Sequence, residues 1–84
     1  MKSVVIYSKP FCGYCTRVKA MFERRGIAVE EVMASMDPLL RKEMRERSGR
    51  MTYPQVFIDG RHIGGCHELT ALDSDGGLDE ILAA

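Results

Sequence analysis

The chain has 84 residues, of which 45% are apolar and 29% charged, which describes one small globular domain spanning residues 1–84. A chain this short buries only about 60–65% of its unfolded surface, so a substrate is expected in a surface groove rather than an internal cavity. Twelve basic and twelve acidic residues cancel, and no apolar run approaches the ~20 residues that span a bilayer, so a membrane role is not expected. The charge is uneven, with eleven basic and six acidic residues in 1–50 against one and six in 51–84. A positive first half suits a small anionic substrate, and it equally describes solvated helix faces. Nucleic acid is not expected as a partner, because Glu43 and Glu46 interrupt the basic run and no aromatics are interspersed.

In chain order, Ser3 to Ser8 is apolar and β-branched without a charge, the pattern of a strand covered on both faces, and it ends at Lys9-Pro10. From Cys12 to about Arg25, Cys15, Val18 and Phe22 recur at helical spacing, and Gly26 supplies a stop. Ile27 to Met33 alternates like a strand. Asp37-Pro38 then opens a second helix as N-cap and first residue, with Leu40 and Met44 on one side and an end near Ser48-Gly49. Gln55 to Ile58, Asp59-Gly60 and Arg61 to Ile63 read as a tight hairpin, since Asp-Gly suits the turn that matches strand twist. After Gly64-Gly65 a third helix runs to about Ser74, and Gly76-Gly77 separates it from a short last segment carrying Leu78, Ile81 and Leu82. The order βαβαββα, with a right-handed crossover joining the first two strands, implies an α/β fold: a four-stranded mixed sheet with helices on both faces.

Cys12-Gly13-Tyr14-Cys15 places two thiols one helical turn apart at a strand-to-helix junction. The first N–H groups of a helix lack partners and favour negative charge, and Lys9 and Arg17 lie nearby, so an anionic sulfur is expected at Cys12. Cys15 is within closing reach, so the pair can cycle between dithiol and disulfide with little backbone motion. Three cysteines, an odd number, argue against a disulfide framework. Met1-Lys2-Ser3 leads into an apolar run too short for a signal-peptide core, and a cytoplasmic location is expected.

Together these residues resemble a dithiol glutaredoxin of the thioredoxin fold. The similarity rests on Tyr7-Ser8-Lys9 at a strand end, the Cys12 to Cys15 site, Arg47-Ser48-Gly49, Thr52-Tyr53-Pro54-Gln55 before the hairpin, and Gly64-Gly65-Cys66 before the third helix. The resemblance implies a glutathione-dependent thiol–disulfide oxidoreductase in which Cys12 is the nucleophile and Cys15 the resolving thiol. It implies a cis bond before Pro54 and a glutathione seat in which Thr52 and Tyr53 pair through their backbone. Gly65 would allow close approach there, and the amides of Cys66 and His67 would receive the γ-glutamyl carboxylate. Lys9 would face the glycine-end carboxylate, with Tyr14 stacked beside it. The partners implied are glutathione and disulfide-bearing or glutathionylated proteins, with glutathione as cosubstrate, no tightly bound cofactor and a monomeric state.

Three positions, Gly13, His67 and Tyr53, depart from the commonest family pattern. Gly13 stands where proline is usual, which loosens the first helical turn. Family members without that proline include some that dimerise around a [2Fe–2S] cluster ligated by glutathione, so a cluster-binding homodimer is the alternative reading. A thioredoxin-reductase-linked electron donor is a further alternative. His67 replaces an acidic or small polar residue, Tyr53 replaces valine, and Cys66 reads as a small buried residue with an inert thiol. A zinc site from Cys12, Cys15, Cys66 and His67 would occupy the dithiol and lacks paired spacing, so no metal is assigned. His62 reads as a polar surface residue.

Overall fold

A computed structural model describes residues 2–84. Its strands are β1 (Val4–Ser8), β2 (Glu30–Met33), β3 (Gln55–Ile58) and β4 (Arg61–Gly64), and its helices are α1 (Gly13–Glu23), α2 (Pro38–Ser48), α3 (Cys66–Asp75) and α4 (Gly77–Ala83). The strands form one sheet in the order β2-β1-β3-β4, with β1 parallel to β2 and antiparallel to β3. This is the four-stranded mixed sheet that the sequence predicts.

Alternation along the two central strands builds both sides of the core. Val4 and Ile6 of β1, with Val56 and Ile58 of β3, pack against Val18, Met21 and Phe22 of α1, Leu69 of α3 and Leu78 of α4. Tyr7 and Phe57 face the other way, toward Ala34 and Met44. The uncharged run of β1 therefore reflects burial on both faces. On the α2 side, the Tyr7 hydroxyl donates to Glu43 and accepts from Arg47 at 2.6 Å, which ties α2 to the sheet. Burial and the Glu43 carboxylate push the Tyr7 hydroxyl above its ordinary ionisation range.

Local signals end the elements as expected, with two adjustments. Asp37 caps α2 by accepting from the Leu39 amide at 2.8 Å, and Gly49 closes that helix at φ 72°. Asp59 and Gly60 both take positive φ, 49° and 79°, the geometry of the hairpin turn that matches strand twist. However, β2 begins at Glu30 rather than Ile27. The Ile27 amide donates to the Phe22 carbonyl at 3.0 Å, so Ile27 belongs to the motif that terminates α1 and is held out of the ladder. Met33 is followed by a single 3₁₀ turn, Ala34–Met36, that the alternation did not announce.

The short last segment is a helix, α4. Seven residues cannot sustain a helix alone. Leu78, fully buried, supplies roughly 1.5–3 kcal/mol of anchoring. Arg25 adds ties to two segments at once, donating to Asp73 of α3 at 2.6 Å and to Asp79 of α4 at 2.7 Å.

Candidate active site

The head of α1 lies at the carboxyl end of β1, one of the two central strands, and this places the dithiol. Cys12 is the N-cap residue, with extended backbone (φ −108°, ψ 109°), and its Sγ accepts the Cys15 amide at 3.2 Å. A sulfur in that position does what an N-cap oxygen ordinarily does, satisfying an otherwise orphaned donor, and the bond is stronger when the sulfur is anionic. Both thiols are free and little exposed, Cys12 at 9% and Cys15 at 2%. Burial, followed by the hydrogen bond with Cys12, pushes the Cys15 thiol up, so Cys15 stays protonated at neutral pH. One cysteine is therefore held as a hydrogen-bond acceptor and the other as a thiol reserve.

Phe11, immediately before the pair, is fully exposed and has φ 56°, uncommon for a bulky residue. No Cβ contact would oppose a side chain at Gly13.

An open groove of about 560 Å³ lies beside the dithiol. Tyr14 forms one wall, the Thr52-Tyr53-Pro54 segment another, and Gly65, Cys66 and His67 at the head of α3 the third. Seven of the predicted site residues thus come together. Cys12 and Cys15 adjoin the groove through Tyr14 without lining it. Lys9 stands at the rim, its ammonium 5.9 Å from the centre of the Tyr53 ring. The Tyr53–Pro54 bond is cis. Gly65 is packed so closely that an added Cβ would stand 3.0 Å from the Pro54 carbonyl oxygen, so the two walls meet there.

Arg17, Arg50 and Glu68 also line the groove, and the sequence reading did not place them in it. Glu68 Oε1 accepts the Gly65 amide at 2.7 Å and the Arg50 guanidinium at 2.8 Å. The first is half of a capping box, an acid three residues into the helix reaching back to the cap amide. Glycine has no side chain to complete the reciprocal half, which is why the usual Ser/Thr-x-x-Glu signature was missing. The two bonds hold the Glu68 carboxyl below its ordinary range. Arg17 lies over the Tyr14 ring at 5.8 Å.

His62 departs from the sequence reading. It is half-buried, tilted against Phe57 at 5.1 Å, and its Nε2 lies 2.7 Å from Gln55 Oε1. Cys66 lies partly buried in the groove wall, its Sγ 3.8 Å from the Thr70 hydroxyl. Among the described residues, no three His, Cys, Asp or Glu side chains are placed to share a metal ion, and no helix is long and apolar enough to cross a membrane.

Comparison with known proteins agrees with this geometry. Residues 4–63 match the glutaredoxin family model. Glutaredoxin 3 of Escherichia coli K12 is 49% identical over 82 residues, covering 98% of this chain and 99% of its own. The solution structure of glutaredoxin from Brucella melitensis superposes with a TM-score of 0.82 at 51% identity, covering 95% of this chain and 87% of that one. The crystal structure of a buckwheat glutaredoxin–glutathione complex superposes with a TM-score of 0.86 at 33% identity, covering 98% and 77%. A thiol pair at a helix head beside an open groove, on a sheet shared with these relatives, identifies a thiol–disulfide oxidoreductase, and the chain belongs to the glutaredoxin family.

Proposed function

We propose that the protein is a glutathione-dependent oxidoreductase that reduces glutathione mixed disulfides and protein disulfides through Cys12 and Cys15. The observation that carries this is the groove, which sets the backbone strip Thr52 to Pro54, exposed at Thr52, half-buried at Tyr53 and closed at Pro54, opposite a helix head. A tripeptide with a carboxylate at each end matches such a site: its cysteinyl backbone pairs with the strip, and its γ-glutamyl carboxylate meets the amides of Cys66 and His67. The Gly65 amide is already taken by Glu68, so the next two N–H groups of α3 serve the anion. Lys9 and Tyr14 take the glycine end. The groove volume falls within the ~300–1,000 Å³ of small-molecule sites. The structural likeness to a glutaredoxin solved with glutathione supports the same reading.

In the reaction, the Cys12 thiolate attacks the glutathione sulfur of a mixed disulfide. The S–S bond breaks, and its electron pair leaves with the other sulfur, which takes a proton from water. A second glutathione thiolate then attacks the enzyme-bound glutathione sulfur, forming glutathione disulfide and returning Cys12 as a thiolate. For a protein disulfide, Cys12 first bonds to one client sulfur; Cys15 then gives its proton to water and attacks the Cys12 sulfur, the Cys12–client S–S bond breaks, and the client sulfur leaves with the electron pair and takes a proton from water, so that a Cys12–Cys15 disulfide remains for glutathione to reduce. We place this chemistry in a monomer in the cytoplasm, where a reducing pool keeps the three cysteines as thiols.

The deciding experiment measures reduction of a glutathione mixed disulfide with glutathione, glutathione reductase and NADPH, run beside thioredoxin reductase. Turnover with the first system is expected. Turnover only with thioredoxin reductase would transfer the assignment to a glutathione-independent electron donor.

A further inference from the structure

Beneath the Thr52-Tyr53-Pro54 wall runs a short chain of hydrogen bonds that starts on the hairpin. The Gln55 side chain is fully buried, and its Nε2 donates to both the Thr52 carbonyl and the Thr52 hydroxyl, each at 3.0 Å. A carbonyl oxygen can only accept, so this bond fixes the amide orientation and turns Oε1 toward His62. With an acceptor facing it at 2.7 Å, His62 must donate, so the neutral ring carries its proton on Nε2. Burial, then the charge of Arg50, lowers the ionisation range of His62, which keeps the neutral form dominant. The ring is held by its contact with Phe57, whose strand partner is His62 itself. Gln55 also underlies the junction of the groove walls, where a Cβ on Gly65 would lie 3.8 Å from its Nε2.

We infer that His62 and Gln55 are positioning residues: a relay from the β3–β4 hairpin through the Gln55 amide sets the register of the Thr52–Pro54 strip against the substrate backbone. The inference rests on the glutathione reading of the groove. It gives a role to two residues that touch no reacting atom. An unpaired buried amide oxygen is costly, so removing the His62 donor drives Gln55 to seek another partner and releases Thr52. Substrate binding then suffers while the dithiol, held at the head of α1, does not.

The test compares wild type with His62→Phe, which keeps a ring on Phe57, with His62→Gln, which keeps an N–H donor, and with Gln55→Leu. With the mixed disulfide of glutathione and cysteine as substrate, His62→Phe is expected to raise KM about fivefold, and Gln55→Leu about tenfold, with kcat within twofold, as suits the loss of one buried hydrogen bond. His62→Gln should recover most of the loss. The rate of Cys12 alkylation by iodoacetamide should be the same in all four proteins. In ¹⁵N-correlated spectra without ligand, His62→Phe should shift the Thr52 and Tyr53 amides and the Gln55 side-chain amide. An unchanged KM in His62→Phe, or unmoved Thr52 and Tyr53 resonances, overturns the relay. Failure of the glutathione reading is distinct: wild type itself would show no saturable turnover, while the ligand-free spectra still decide whether the relay exists. Should Gln55→Leu fail to fold, His62→Phe decides alone.

Discussion

The backbone amide of Cys15 donates to the sulfur of Cys12 at 3.2 Å, so the second member of the pair holds the first in place whatever its own side chain does. Replacing the Cys15 side chain therefore leaves the donor intact. Replacing Cys12 by serine keeps an oxygen that can cap the helix and removes the nucleophile. The two cysteines are unequal by construction, one at the helix cap and one inside the first turn with its thiol pushed up by burial.

Cys12→Ser is accordingly expected to reduce glutathione-dependent turnover to the uncatalysed background, while Cys15→Ser retains activity on glutathione mixed disulfides and loses activity on protein disulfides. With limiting iodoacetamide at pH 7, mass analysis of the wild-type protein should find the label on Cys12 before Cys15. Preferential labelling of Cys15 would reverse the assignment.

Gly13 is the first residue of α1, preceded by a cap in extended conformation and facing open space. Proline fits there on three counts: its fixed φ is helical, the missing N–H is one that the helix cannot use, and the preceding residue is already extended. Gly13→Pro should stabilise the protein by about 0.4–1 kcal/mol, chiefly by restricting the unfolded chain. For a chain of this size that is a rise of roughly 2–6 °C in Tm, read by calorimetry, and an unchanged or lower Tm would contradict it.

Gly65→Ala is a test of the groove without touching the thiols. The new Cβ would stand 3.0 Å from the Pro54 carbonyl oxygen, so the backbone strip must give way by a few tenths of an ångström. Mild overpacking of this kind costs ~1–3 kcal/mol, so KM for a glutathione mixed disulfide should rise about tenfold while Cys12 alkylation is unaffected. An unaltered KM would show that the two walls are not both used.

The sequence made the fold legible where one residue type has one physical use. The uncharged apolar run of Val4 to Tyr7, the Asp37-Pro38 cap, the Asp59-Gly60 turn and the glycines at 49 and 76 each mark an element or its boundary, and the structure puts the elements there. The cysteine pair and the groove residues were legible through their spacing and through a family pattern. What escaped had no side-chain signature of its own. His62 read as a surface residue because nothing within a few positions shows that Gln55 turns its amide toward it. Glu68 escaped because its capping partner is a glycine. The strand start at Ile27 was misplaced because alternation cannot distinguish a residue that pairs in a ladder from one whose amide closes the preceding helix.

Glu68 makes the groove pH-sensitive on the acid side. Its carboxyl is held below the ordinary value of 4.5, first by the Gly65 amide and then by Arg50. A carboxylate that is more acidic in the folded state stabilises that state fully above the unfolded value, and the contribution disappears as pH falls through the folded one. The group is about one-third exposed, at 34%, so solvent and salt screen it and the gain is below ~1 kcal/mol. Glu68→Gln should therefore be slightly less stable than wild type at pH 7, with the difference shrinking as pH is taken below 4.5, as measured by denaturant midpoints. A difference that does not shrink as the pH falls would mean that the side chain acts by packing rather than charge.

Arg25 decides whether the last helix stays on the body of the protein. Its guanidinium donates to Asp73 of α3, Asp79 of α4 and the Met21 carbonyl of α1, at 2.6, 2.7 and 2.8 Å, and is only 19% exposed. Three elements thus share one planar group, which a lysine cannot reproduce because a single ammonium cannot present the same fork. Asp79 itself lies on the surface, so its part is modest. The tie to Asp73 and Met21 is more sheltered, and Leu78 holds α4 from the apolar side. Arg25→Met keeps the stem and removes the fork, and should lower Tm by about 4 °C. The loss should be local: hydrogen exchange should quicken in residues 77–83 while the amides of β1 and β3 keep their protection. Uniformly faster exchange across the sheet would show instead that Arg25 supports the whole core, with α4 no more dependent on it than the rest.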